Sequence, residues 1–247
     1  MADTSFFHEA QAMAEFLALH RDPMLRGTGM PRGSGRRVLV LPGLMGNDLY
    51  LTTVRHWLSR IGYQPLSSDI LLNLGCAKRM ATDVQAKLEP LLAEDRSPIA
   101  ILGHSRGGLL AKALATRLGK QVSHLILVGS PLGGFLNAGP EGVSAFAESM
   151  EQGNDIQRWV INAGLAATRL VDADCTAPRC GCEYYTDLFG PLAPSTKVTA
   201  IYSNEDPVVP PSSAKLPFGK NIVIDGTHSG LMFSPAVYPH IADALAG

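Results

Sequence analysis

No run of about 18 apolar residues occurs in the 247-residue chain, which argues against a membrane-spanning helix. Net charge is nearly absent as well: the formal value is −1 at pH 7. No strong electrostatic attraction to nucleic acid or to an anionic membrane is therefore expected. The opening Met1-Ala2-Asp3-Thr4-Ser5-Phe6-Phe7-His8 lacks the basic start and uninterrupted apolar stretch of a secretory signal, so a cytoplasmic protein is expected. Glycines crowd the segment from Arg26 to Arg37, but no Gly-Lys-Ser/Thr follows them, so this reads as a connector and not a phosphate loop. Cysteines are few: Cys76, Cys175, Cys180 and Cys182. The spacing of the last three is not that of a zinc knuckle and no histidine is near them, which leaves a disulfide or plain reduced thiols as the alternatives. With no nucleotide fingerprint and no convincing ligand cluster, neither an organic cofactor nor a metal is expected.

What is present is a serine in a demanding setting. Ile99-Ala100-Ile101-Leu102 reads as a buried strand, and Leu109 to Ala115 reads as a helix. Between them stands Gly103-His104-Ser105-Arg106-Gly107. This is G-x-S-x-G where strand turns sharply into helix, a geometry that exposes a serine hydroxyl at the apex. Side chains at the flanking glycines would collide with strand and helix, and Gly108 allows close packing on the sheet. A serine nucleophile needs a general base, and the base needs a carboxylate to hold its tautomer. Downstream, Thr199 to Ser203 reads as a strand leading into Asn204-Glu205-Asp206-Pro207-Val208-Val209. A second strand, Asn221 to Asp225, leads into Gly226-Thr227-His228. Both candidates lie just beyond the C-terminal end of a strand, where open parallel sheets bind ligands.

Four segments together carry a family resemblance: Leu41-Pro42-Gly43-Leu44-Met45-Gly46, Gly103 to Gly108, Ser203 to Val209 and Gly226-Thr227-His228. In that order the chain resembles the α/β-hydrolases, and more narrowly their lipase- and esterase-like serine hydrolases. Many relatives have His-Gly where Pro42-Gly43 stands, an exchange that keeps a backbone donor in place. The resemblance spans roughly residues 36–130 and 197–246. It implies Ser105 as nucleophile, His228 as base and Asp206 as the carboxylate. It also implies an oxyanion hole from the N–H groups of Leu44 and Arg106, with Met45 as the alternative donor and a candidate to line the substrate pocket. Glu205 and Asp225 are rivals to Asp206, and His104, His124 and His240 are rivals to His228. The Arg106 side chain is expected to serve as a salt-bridge partner. Asn73 and Gly75 either line the pocket or answer to turn chemistry.

Strands alternate with helical patterns along most of the chain. Helices are expected over 48–60, from Thr82 through Leu92 across Pro90, and from Pro235. Strands are expected over 38–41, 63–66, 99–102, 122–128, 197–203 and 221–225. That alternation predicts an α/β fold, a mostly parallel sheet covered on both faces. Phe6, Phe7, Ala10, Met13, Ala14 and Leu17 recur at helical spacing and predict a further docked helix. Residues 132–195 break the rhythm, with helical patches at 141–151 and 155–171. We read the whole of 1–247 as a single domain with 132–195 inserted as a cap. Phe135, Leu136, Phe146, Met150, Trp159, Leu165, Tyr184, Tyr185 and Phe189 either line an apolar acyl pocket or form the cap's own core. The expected partner is a small-molecule or lipid-like ester. Thioesterase, lactonase, amidase and acyltransferase chemistry would use the same three residues.

Overall fold

In the computed structural model, which describes residues 14–175 and 182–247, six strands form one sheet. They are β1 (Arg37–Leu41), β2 (Gln64–Leu66), β3 (Ile99–His104), β4 (Val122–Val128), β5 (Lys197–Ser203) and β6 (Lys220–Ile224). Their spatial order is β2-β1-β3-β4-β5-β6, and every pairing is parallel. The chain steps from β1 to β2 on one side and then returns to pair β3 on the other side of β1. That reversal opens a crevice beyond the C-terminal ends of β1 and β3, the place where such sheets bind ligands.

The helices are α1 (residues 14–21), α2 (Thr52–Arg60), α3 (Ala77–Glu94), α4 (Arg106–Leu118), α5 (Leu132–Glu151), α6 (Asp155–Val171), α7 (Glu183–Phe189), the short α8 (Pro211–Ala214) and α9 (Val237–Ala246). Side chains alternate across the strands and feed two cores. Leu39, Leu41, Ile99, Ile101, Leu125 and Leu127 meet α3, α4 and α7 on one face. Val38, Val40, Ala100, Leu102, Ile126 and Val128 meet α2 and α9 on the other. The interiors of β1 and β3 are apolar and buried because both faces are covered there. Leu19 of α1 is buried in the second core, whereas Leu17 is exposed. The rest of the expected N-terminal helix, up to Met13, lies outside the described residues.

Three boundaries differ from expectation. Residues 48–51 are turn, because the Asn47 side chain accepts from the Leu49 and Tyr50 N–H groups at 3.0 and 3.1 Å and offers the backbone an alternative to helix. Leu49 is accordingly exposed. Helix α3 starts at Ala77, not Thr82, and runs on through Pro90. Helix α5 already starts at Leu132; Gly139 breaks it with φ 69° and ψ 176°, and Pro140 follows. The short α7, which no apolar period announced, is fastened by a buried amine. Lys112 on α4 donates to Thr116 Oγ1 at 2.8 Å and to the Gly190 carbonyl at 2.7 Å, beside the end of α7. Burial pushes this ammonium down to about 8.

The tightest backbone approach joins α4 to β1. A Cβ at Gly107 would run into the carbonyl oxygens of Leu41 and Pro42. Both obstacles are main chain, so neither can turn aside. Gly107→Ala is therefore expected to lower stability by about 1–3 kcal/mol or more, the range for overpacking, as read from the midpoint of urea unfolding. An unchanged midpoint would mean that α4 can move off β1 freely.

Candidate active site

Ser105 follows β3 directly and opens α4, at φ 53° and ψ −124°. A non-glycine residue in that region is strained, typically by about 1–3 kcal/mol, and the surroundings must hold it there. They do so through the Ser105 N–H, which donates to the Val128 carbonyl at 2.9 Å, and the Gly108 N–H, which donates to the Ser105 carbonyl at 2.9 Å. Gly43, after β1, lets its loop close on this turn: a Cβ there would stand 2.9 Å from His104 Nδ1 and 3.1 Å from Ser105 Cβ.

The loops after β5 and β6 bring the two expected partners to the serine. Ser105 Oγ lies 2.9 Å from His228 Nε2, and His228 Nδ1 lies 2.7 Å from Asp206 Oδ2. The other Asp206 oxygen accepts from the N–H groups of Val208 and Val209 at 2.8 and 2.9 Å. With its side chain only 1% exposed, this carboxylate is fully satisfied and aimed at the imidazole. Glu205 and Asp225 point to solvent. His240 sits on α9, and His124 lies at the opposite end of the sheet beside Arg36. The arrangement can draw the hydroxyl proton to Nε2 while the carboxylate steadies the ring that receives it.

Two side chains, one a rival to His228 in the sequence and one not singled out there, pin the histidine loop. His104 Nε2 donates to the His228 carbonyl at 3.0 Å, and Tyr50 Oη donates to the Ser229 carbonyl at 2.9 Å. Burial raises the Tyr50 phenol well above its ordinary value. Only the position of His104 inside the serine turn hinted at this role; nothing in the residues around Tyr50 did.

The turn over residues 42–46 faces the serine from β1. Met45 stands at φ 60°, a strained value for a branched-free but bulky residue. Its N–H donates to the Asn73 carbonyl at 3.1 Å, so it is spent and cannot serve as the alternative oxyanion donor. The N–H groups of Leu44 and Arg106 have no acceptor among the described residues, and both residues line the same cavity as Ser105. Asn73, fully buried, donates its side-chain amide to the Pro42 carbonyl at 2.6 Å and its N–H to the Gly46 carbonyl at 2.8 Å. The Arg106 side chain is not the expected salt-bridge partner. It donates to Asn73 O at 3.0 Å, Asn73 Oδ1 at 2.6 Å and Gly75 O at 2.6 Å, all uncharged acceptors. From the far side, Asp172 at the end of α6 accepts from the Cys76 N–H at 2.5 Å and pairs with Arg79. Loop turn chemistry thus accounts for Asn73, while Gly75 also lines the cavity.

The cavity beside Ser105 has a volume of about 220 Å3. Its wall is mainly apolar: Leu109, Pro131 and Phe135, then Met150, Val160, Ile161 and Leu165, with Tyr184 and Tyr185 from α7. Five expected lining residues are elsewhere. Trp159 is 64% exposed, because α6 turns Gln157, Val160, Ile161, Gly164, Leu165 and Thr168 inward and Trp159 outward. Phe146 packs edge-on against Phe135 at 4.9 Å and covers Gly134, which fastens the two halves of α5 to each other. Met45 is 47% exposed. Leu136 and Phe189 also lie off the wall, and Phe189 stacks on Tyr185. At Gly164 a Cβ would stand 2.8 Å from the Leu44 side chain, so α6 is notched around the 42–46 turn. Cys76, Cys175 and Cys182 all line the cavity; Cys180 lies outside the described residues.

The sequence profile of a family described as alpha/beta hydrolase matches residues 54–162, a span that takes in Ser105. No curated protein sequence gives a match. Among solved structures, the monoacylglycerol lipase of Paleococcus ferrophilus superposes with a TM-score of 0.53 at 12% identity, over 88% of this chain and 96% of that one. A structure from work on carboxylesterases of Nitrososphaera gargenis gives 0.51 at 16% identity, over 84% and 88%. The thioesterase domain of the curacin biosynthetic pathway gives 0.52 at 14% identity, over 88% and 93%. The chain has the α/β-hydrolase fold. At these identities the likeness is one of architecture, and the chemistry has to be argued from the residues themselves.

In this α/β-hydrolase fold the histidine beside the serine is kept neutral. Burial first, and then the nearby His228, hold the His104 imidazole down at about 3, and its Nδ1 has no partner. The unfolded chain binds that proton near pH 6.5 and the folded chain only near 3. Stability is therefore full above about 6.5 and falls as the pH drops through that window, by up to about tenfold in the folding equilibrium per pH unit. His104→Gln can still donate to the His228 carbonyl but cannot titrate. His124, held at about 4 by burial and then by Arg36, stays in both proteins, so the difference between them isolates His104. Urea midpoints taken from pH 7 to 4 should fall less steeply for His104→Gln; parallel slopes would rule out a buried neutral imidazole at 104.

Proposed function

We propose that the chain is a serine hydrolase that cleaves carboxylic esters, preferring those with apolar acyl chains, by way of an acyl-enzyme on Ser105. The observation that carries this reading is the hydrogen-bonded series Asp206–His228–Ser105, 2.7 and 2.9 Å between successive heavy atoms, opening onto an apolar cavity. Ser105 Oγ attacks the ester carbonyl and His228 Nε2 takes its proton. Asp206 steadies the imidazolium that results. The carbonyl oxygen, now negative, accepts from the N–H groups of Leu44 and Arg106. Collapse expels the alkoxide, which leaves with the proton from His228. Water then repeats the sequence on the acyl-enzyme, with His228 as base again, and releases the acid. Residues 132–195 act as a cap, since α5, α6 and α7 supply most of the apolar wall.

Ser105→Ala is expected to lower kcat on p-nitrophenyl butyrate by at least about a thousandfold, since nucleophile and base act as a unit. Its circular dichroism should be unchanged. Turnover within a few-fold of the parent would reject Ser105 as nucleophile. The same assay with acyl thioesters of matched chain length separates an esterase from a thioesterase.

The cavity wall generates a second expectation. Each methylene that enters it is worth about 0.8 kcal/mol, or roughly fourfold in kcat/KM. Specificity should climb over the first carbons of a p-nitrophenyl ester series and level off where the cavity ends. Leu165→Trp should bring that plateau to shorter chains and spare acetate. Trp159→Ala should leave the profile as it was, because Trp159 is turned outward. A flat profile in the parent would remove the acyl-pocket assignment.

A further inference from the structure

We propose that the Arg106 side chain is a positioning residue for oxyanion stabilisation, acting through Asn73 on the turn that carries the Leu44 N–H. This rests on the reading of Ser105 as the acylated nucleophile. The guanidinium is set into the cavity wall and spends its donors on one loop: the Asn73 carbonyl, the Asn73 side-chain oxygen and the Gly75 carbonyl, at 3.0, 2.6 and 2.6 Å. Among the described residues no carboxylate pairs with it. A half-buried guanidinium with only neutral acceptors is costly for a fold to keep as simple packing.

Asn73 transmits what the guanidinium fixes. All its remaining hydrogen bonds go to the turn after β1: its side-chain amide to the Pro42 carbonyl at 2.6 Å, its N–H to the Gly46 carbonyl at 2.8 Å, and its carbonyl from the Met45 N–H at 3.1 Å. These three contacts bracket Leu44 on both sides. They also hold Met45 at φ 60°, a conformation that the turn would not keep unaided. The backbone of Arg106 meanwhile supplies the second oxyanion donor from the first turn of α4. One residue thereby ties both halves of the oxyanion site, its N–H directly and its guanidinium through Asn73. A donor misplaced by a fraction of an ångström loses the transition state more than the ground state.

The variants are Arg106→Met, which keeps bulk but removes every donor, and Asn73→Ser, which cuts the relay and keeps its backbone contacts. Both are assayed on p-nitrophenyl butyrate and titrated with phenylboronic acid, whose tetrahedral serine adduct places an oxygen in the oxyanion site. Loss of one oxyanion donor costs about a hundred- to a thousandfold in kcat. Misplacement should cost about ten- to a hundredfold, with KM within threefold of the parent. Boronate affinity should weaken by the same factor as kcat. Methylguanidinium should restore part of the lost kcat to Arg106→Ala and nothing to Asn73→Ser. If Arg106→Met does not fold, Asn73→Ser and the rescue carry the test. In an active parent, kcat within threefold for the folded variants, or a fallen kcat with boronate affinity unchanged, overturns the inference alone. A parent that neither hydrolyses esters nor takes a fluorophosphonate on Ser105 overturns the proposed function and this inference together.

Discussion

Everything in the site depends on how closely two backbones meet at the C-terminal edge of the sheet. Helix α4 starts so near β1 that position 107 has no room for a side chain against the carbonyls of Leu41 and Pro42. Because of that contact, the turn after β1 and the turn after β3 share one small volume. The serine must then bend through φ 53° to leave the strand and enter the helix. A looser joint would relieve the bend and at the same time draw the 42–46 turn away from the hydroxyl. Strain at Ser105 and proximity of Leu44 are two results of the same close approach.

Around that joint the polar groups are arranged by the loops at the strand ends, and almost every one is spoken for. Asp206 gives one oxygen to two backbone N–H groups and the other to His228. The carbonyls of His228 and Ser229 are held by His104 and Tyr50. Asn73 and Arg106 occupy the carbonyls beneath the β1 turn. Among the described residues the N–H groups of Leu44 and Arg106 also lack an acceptor, and both residues line the mainly apolar cavity. In a low-dielectric pocket free N–H groups of this kind would be worth far more to an anion than they are in water.

The sheet, its parallel order and the serine turn were legible in the residues because each rests on a short local pattern. Apolar runs of four to seven residues bounded by glycine, proline or acidic turns mark strands at the positions where β1, β3, β4 and β5 stand. Asp206 and His228 were legible for a different reason, their place just after strands in the expected chain order. Facing directions were harder. Trp159 and Leu165 are both apolar residues of one helix, and only the side on which α6 meets the turn at Leu44 decides which of them sees the cavity. Phe146 had a partner within its own helix, which a break at Gly139 made reachable. The braces at Tyr50 and Asn73 were invisible because they join segments far apart in the chain through backbone carbonyls, which leave no trace in residue type.

The notch at Gly164 bears on how this pocket can change over generations. Val160, Ile161 and Leu165 line the cavity, so substitutions there redraw its outline. A Cβ at position 164 would press on the end of the Leu44 side chain, which would have to turn aside. Changes to the outline of the cavity along α6 therefore fall on either side of a position that is coupled to the turn after β1.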